Sequence, residues 1–316
     1  MEFVSLNCPA CGGLLPRQAR WRMVNCPYCG SVVTLAERVV QAVDFHQAWL
    51  RAQAAAVFPC ESVVIGDDRY RLLSRIGSGE QADIFFAERM SILPERVTVK
   101  LARDAAGASA LEAEFSALNA LQSLEAAGSA YYSQRLPQPV RIGAAALSGL
   151  PVAVYRHNVG FWGSLEDVMA HHSRGVDPRH AVWMWRRILE VLSYLHRNGW
   201  THGMIHPQHL LVHPANHGVL LIGWERASKD GERSAARDLS QSAWSIRAAL
   251  SGPTDDEPGF GTHTPGNMVE ILKRASEDAD WCSANGAAGI DEALKAAAFE
   301  AFGPPAFVPF SPVSPA

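Results

Sequence analysis

Tyr70-Arg71-Leu72-Leu73-Ser74-Arg75-Ile76-Gly77-Ser78-Gly79-Glu80-Gln81-Ala82-Asp83-Ile84-Phe85, followed by Val97-Thr98-Val99-Lys100, is the stretch on which the fold turns. Residues 70–76 alternate like a strand, and 77–85 read as a glycine turn closing back into a second strand. Val97–Lys100 reads as a third strand that ends in a lysine. A helix is predicted near Ala108–Leu124, with Glu114 on the face of Leu111, Leu118 and Leu121 and Glu112 off it. A carboxylate on the inward side of a helix needs a partner, and Lys100 is the obvious one.

Outward from this core the signals continue in order. Asp177-Pro178 should cap a long helix running to Asn198, with Trp185, Ile188, Leu189, Leu192 and Leu195 as its buried stripe. Residues 251–262 are a loop by composition. Two amphipathic helices are predicted near Met268–Asp278 and Ile290–Ala301. The tail, residues 303–316, has a polyproline bias interleaved with Phe307, Val308 and Phe310, and its default is to pack on its own domain.

At the other end, Cys8-Pro9-Ala10-Cys11-Gly12 and Cys26-Pro27-Tyr28-Cys29-Gly30 are two CPxCG turns. Each aims two thiolates at one ion, and four thiolates make the closed tetrahedral site of structural Zn²⁺. Residues 1–36 therefore resemble a zinc ribbon, with Met23–Asn25 and Val32–Leu35 as its strands. A redox dithiol is the alternative; such motifs usually come singly. Residues 37–65 read as a linker, helical over 36–57. Arg17, Arg20, Arg22 and Arg38 against Glu2 and Glu37 sum to +2, and four thiolates with Zn²⁺ add −2, so the module is about neutral. Protein docking then suits it better than nucleic-acid binding.

Composition sets outer bounds. Of 316 residues, 48% are hydrophobic and 19% charged, which suits large packed cores and excludes a disordered chain; the net charge of −4 excludes a general polyanion binder. No run of about 18 apolar residues occurs. The first residues lack a basic flank and a long apolar run, so no signal peptide is expected. The expectation is a cytoplasmic protein with no membrane contact.

Residues 66–300 as a set resemble the protein-kinase family. Gly77, Gly79 and Ile84 match its glycine-rich loop, with Ala82 where a third glycine would stand; Lys100 matches the phosphate-facing lysine and Glu114 its helix partner. The resemblance implies an α+β bilobal fold, with a small lobe over 66–155 and a large lobe over 156–302, and a nucleotide such as ATP at Gly77, Gly79, Lys100 and Glu114. Pro151–Arg156 (PVAVYR) looks like its last small-lobe strand and hinge, Ser164–Met169 like the helix just after them, and Asp238 matches the anchoring Asp of the large-lobe core helix. The catalytic residues do not carry over. His202 stands for the motif's His and Pro207 for its Pro. Met204 takes the place of the catalytic Asp, His206 that of the catalytic-loop Lys, and His209 that of the metal-binding Asn. Gly223-Trp224-Glu225 replaces the second metal motif, with Gly223 at its Asp.

Phosphoryl transfer rests on positioning and electrostatics, and Mg²⁺ wants hard oxygen ligands. The substitutions therefore imply a pseudokinase, a scaffold or allosteric adaptor acting through another protein. The alternative is an atypical Ser/Thr kinase in which Glu225 rebuilds the metal site. His196, His202, His206, His209, His213 and His217 invite a second metal site; against it, a loop and strand do not put them on one face.

Overall fold

A computed structural model of the chain describes residues 61–91, 94–146, 148–230, 235–252 and 257–313, and the backbone of 23–25 and 32–34. The chain divides into two units, Met1–Pro59 and Cys60–Ala316. In the first unit, β1 (Met23–Asn25) pairs antiparallel with β2 (Val32–Thr34), Val24 opposite Val33. These are the two strands expected, the second ending one residue earlier. Cys8, Cys11, Cys26 and Cys29, and the helix expected over 36–57, lie outside the described residues.

The second unit begins with a six-stranded antiparallel sheet. Its strands are β3 (Ser62–Ile65), β4 (Asp68–Ser78), β5 (Ala82–Arg89), β6 (Glu95–Ala102), β7 (Pro139–Ala144) and β8 (Pro151–Arg156), in the order β3-β4-β5-β6-β8-β7. Residues 62–65, assigned above to the linker, pair with β4 and belong to the sheet. Strand alternation gives the sheet two faces. Tyr70, Leu72, Ala87, Val97, Val99, Val152 and Val154 share one buried cluster. On the other face Ala102, Ala153 and Tyr155 join Leu111, Leu118 and Leu121 of α1 (Ala105–Gln122). Asp104 caps this helix by accepting from the Gly107 N–H at 2.8 Å. Gly107 is required here: a Cβ would run into the Gln81 carbonyl at the tip of the β4–β5 hairpin.

After a short α2 (Ser129–Tyr132) and β7–β8, the chain enters a mainly helical body. β9 (Gly163–Ser164) leads into α3 (Leu165–His171), held by a reciprocal capping box between Ser164 and Asp167. α4 (Pro178–Arg197) starts at its Asp177 cap, and Trp185, Ile188, Leu189, Leu192 and Leu195 are each at most 1% exposed, so the stripe faces the core as expected. β10 (Trp200–Thr201), β11 (Leu210–His213), β12 (Gly218–Leu221) and β13 (Ser228–Lys229) form two small sheets. β12 and β9 flank β11 in one, and β10 pairs with β13 in the other. α5 (Ala235–Ser251), α6 (Gly266–Glu277) and α7 (Ala279–Phe302) complete the body.

α7 starts eleven residues before the predicted Ile290. Asp278 caps it by accepting from the Trp281 N–H at 2.9 Å, and Gly286, at φ 60° and ψ 178°, breaks it into two helical pieces. Arg247, nearly buried on α5, ties α6 by donating to Ser276 at 2.8 Å and Glu277 at 2.9 Å.

Candidate functional site

Lys100 and Glu114 meet as the alternation requires. Val97 and Val99 of β6 face the all-sheet cluster, which turns Lys100 toward α1. Glu114 shares the buried face of α1 with Gly107, Leu111, Leu118 and Leu121. Lys100 Nζ lies 2.8 Å from Glu114 Oε1 and 2.7 Å from Oε2, with the carboxylate side chain only 3% exposed. Removing one partner of such a pair leaves a buried charge, at a cost of about 3–5 kcal/mol. The Lys100 ammonium also sits 5.4 Å from the Tyr155 ring centre. Burial, then the Glu114 carboxylate, push the Tyr155 phenol well above its ordinary range, and the Glu225 charge adds in the same direction. Glu225 is half-buried.

The glycine hairpin is pinned. Gly77 pairs with Ile84, and the Gly79 N–H donates to the Ala82 carbonyl at 3.0 Å. Arg103, one residue beyond β6, donates to Ser78 Oγ at 2.5 Å and Asp83 Oδ1 at 2.7 Å. The Arg103 hydrogen bond holds the Asp83 carboxyl below its usual value. The Arg103 N–H meets the Gln81 carbonyl at 3.0 Å. A loop tip fixed to the helix start in this way leaves the Gly77–Gly79 backbone on the same sheet as Lys100.

The segment after β10 is held by its backbone. Asp238, fully buried, accepts from the His202 N–H and the Gly203 N–H, both at 2.8 Å, and lies 3.1 Å from His196 Nε2. One and two turns further along α5, Gln241 accepts from the Ile205 N–H at 3.0 Å and Ser245 Oγ donates to the Ile205 carbonyl at 3.4 Å. His202 is also fully buried. Its Nε2 donates to the Ile222 carbonyl at 3.2 Å, and its Nδ1 accepts from the Met204 N–H at 3.3 Å. Both ring nitrogens are used in the neutral form, and burial pushes the imidazole down to about 4.

Trp224 fills the space beside it. Its ring, fully buried, meets His202 edge-on at 4.4 Å and donates through Nε1 to the Leu221 carbonyl at 2.9 Å. Its backbone N–H points at Glu114 Oε1 from 3.4 Å, so the sheet-side ion pair and the helical body share one carboxylate.

The degenerate positions come together. His209 Nδ1 donates to the Met204 carbonyl at 3.0 Å. Its ring lies flat against Gly223, where an added Cβ would sit 2.9–3.0 Å from the imidazole carbons. Gly223 has φ +77°. This corner holds a thioether, an imidazole committed to a carbonyl and a glycine. Lys100 and the Gly77–Gly79 turn share one sheet; the corner of Met204, His209 and Gly223 does not fit Mg²⁺, which needs oxygen donors at octahedral angles.

The other histidines disperse. His213 packs on Phe161 at 5.2 Å, and His217 stacks on Trp183 at 4.5 Å. Among the described residues, no three His, Cys, Asp or Glu side chains are placed to hold a metal ion. Gln241, Ser245 and Tyr155 were not singled out from the sequence. The i, i+3, i+7 spacing of Asp238, Gln241 and Ser245 carries a signal for the first two.

The packing of His209 on Gly223 makes the two substitutions interdependent. Gly223→Asp alone should lower stability by about 1–3 kcal/mol, from the clash and the positive φ together. Adding His209→Asn should recover part of that loss. Urea denaturation midpoints measure both; a Gly223→Asp protein as stable as the parent would contradict the packing.

The comparisons with known proteins agree with this geometry. The model of a family described as lipopolysaccharide kinase (Kdo/WaaP) matches residues 95–254, from β6 with Lys100 to the end of α5 with Asp238. No curated protein matches the chain. The matched span is just over half of the chain, and it contains the Lys100–Glu114 pair, the His202–Met204 turn and the Asp238 anchor. The chain belongs to the lipopolysaccharide kinase (Kdo/WaaP) family, whose fold is protein-kinase-like.

Proposed function

We propose that this kinase-like protein has lost phosphoryl transfer and works as a pseudokinase, a scaffold or allosteric adaptor for another protein. The observation that carries the reading is the corner made by Met204, His209 and Gly223. An acceptor hydroxyl needs a carboxylate to orient it, and Met204 has none. Electrostatic groups of this kind are worth about 10²–10³ in rate each. The Lys100–Glu114 pair and the glycine hairpin remain, which supports ATP as a ligand bound without metal. Retained binding surfaces with absent chemistry suit a protein that is read by a partner.

A second reading has its own support. The family's printed name is that of a kinase of lipopolysaccharide, and the charge of half-buried Glu225 adds to the upward push on the Tyr155 phenol. In that reading Glu225 supplies the missing metal ligand and a sugar hydroxyl is the acceptor. The two readings separate on phosphate incorporation from ATP with Mg²⁺ or Mn²⁺ into the chain itself, a general protein substrate and lipopolysaccharide. The pseudokinase reading expects no transfer above that of Lys100→Ala. Transfer that depends on Lys100 overturns it and favours the second.

Cys8, Cys11, Cys26 and Cys29 are proposed to hold one structural Zn²⁺. The β1–β2 pairing supports this, because it joins the residues on either side of Cys26–Cys29. The near-neutral charge of this module favours a protein partner over nucleic acid. Among the described residues no helix is long and apolar enough to cross a membrane. Metal analysis of the purified chain should find one zinc per molecule, lost in Cys26→Ser; zinc-free protein with intact thiols would contradict the site.

A further inference from the structure

The chain beyond α7 has no ionisable side chain between 303 and 313, yet it is held against the body at a cluster of imidazoles. Phe307 stacks on His217 at 4.2 Å and 15°. Phe310 packs against three rings: His180 at 4.8 Å, Trp183 at 5.7 Å and His172 at 5.9 Å. His172 Nε2 donates to the Ser311 carbonyl at 3.1 Å. The rings come from three places: His172 follows α3, His180 and Trp183 are on α4, and His217 is on the β11–β12 turn. Trp183 is the centre, since it also stacks on His217 at 4.5 Å and 4°.

Trp183 is itself set by His180. The indole Nε1–H donates to His180 Nδ1 at 3.2 Å. An indole N–H only donates, so Nδ1 must be unprotonated. A proton on Nδ1 turns the acceptor into a second donor. It breaks the bond that sets Trp183 and places a charge in a half-buried site where burial disfavours the charged form.

We propose that residues 303–313 form a latch that acid opens: protonation of His180 frees Trp183 and releases Phe307 and Phe310 from the body. The groups facing His180 are Asp177 and Arg179 at the start of α4, His172 after α3, and His217 on the β11–β12 turn. The His217 carbonyl in turn accepts from Arg187 at 3.2 Å. Burial above all, then the positive neighbours, hold the His180 imidazole below its ordinary value, against the pull of Asp177. The docked imidazole binds its proton less tightly than a free one. The latch is therefore fully stable above about pH 6.5 and weakens as pH falls below it. Burial also lowers His217, while its hydrogen bond to the Val308 backbone of the tail pulls the other way, so the acid response rests on His180.

The test uses the full chain with 4-fluorophenylalanine at position 310, followed by ¹⁹F NMR from about pH 7.5 to about pH 5. A single docked resonance at the upper end should give way to a narrow free-chain resonance below about pH 6.5. In His180→Asn, whose side-chain oxygen takes the place of Nδ1 as acceptor but binds no proton, the change should move down by a pH unit or more. The NMR titration midpoint of the His180 ring in the parent protein should coincide with the release of Phe310. An unchanged Phe310 signal across this range, the same transition in His180→Asn, or separate midpoints would overturn the latch.

Discussion

The buried Asp238 carboxylate is the tie on which the arrangement of the body depends. It accepts from the backbone N–H groups of His202 and Gly203 and contacts His196, joining α4, α5 and the turn after β10. A buried carboxylate is tolerated only when its lone pairs are filled, and here three donors fill them. Two of the three are main-chain groups. The tie therefore constrains where the backbone runs without dictating which side chains follow it. A methionine at 204 and a histidine at 209 leave it intact. This explains how the kinase-like frame persists around a corner stripped of carboxylates.

The same logic connects the two parts of the fold. Glu114 is shared between Lys100 on the sheet and the Trp224 backbone N–H in the body. Trp224 in turn packs on His202, whose neutral ring bridges Ile222 and Met204. From the glycine hairpin to α5 the connections run through Lys100, Glu114, Trp224, His202 and Asp238. Every member is buried or nearly so, and none needs a bound metal to stay in place. The geometry of these residues is thus accounted for by structure alone, and the nucleotide proposed at Lys100 would be an added role rather than the reason for that geometry.

Much of this was legible in the sequence because its signals are local. The Asp177 cap, the α4 stripe and the Glu114 face each follow from spacing or capping over a few residues, and strand Pro151–Arg156 from the resemblance to kinases. The Lys100–Glu114 pairing followed from one physical demand, a partner for an inward carboxylate. What stayed hidden depends on distant contacts. Ser62–Ile65 is short, and only its pairing with β4 makes it a strand. The first half of α7 carries Ser283, Asn285 and Gly286, which erase the helical pattern; its helicity rests on the Asp278 cap and the burial of Cys282 and Ala287. The cluster around Phe310 gathers rings from three separate elements. The histidine run looked like one feature, yet its members serve the Ile222 carbonyl, Gly223, Phe161 and Trp183 in turn.

The pseudokinase proposed above keeps its nucleotide-binding groups and lacks a metal site. Calorimetric titration of the zinc-loaded full chain with ATP, with and without Mg²⁺ and repeated in Lys100→Ala, tests it most directly. The account predicts binding that is lost in Lys100→Ala and indifferent to Mg²⁺. Binding that requires Mg²⁺ would contradict it, since a metal site would then exist where Met204, His209 and Gly223 stand.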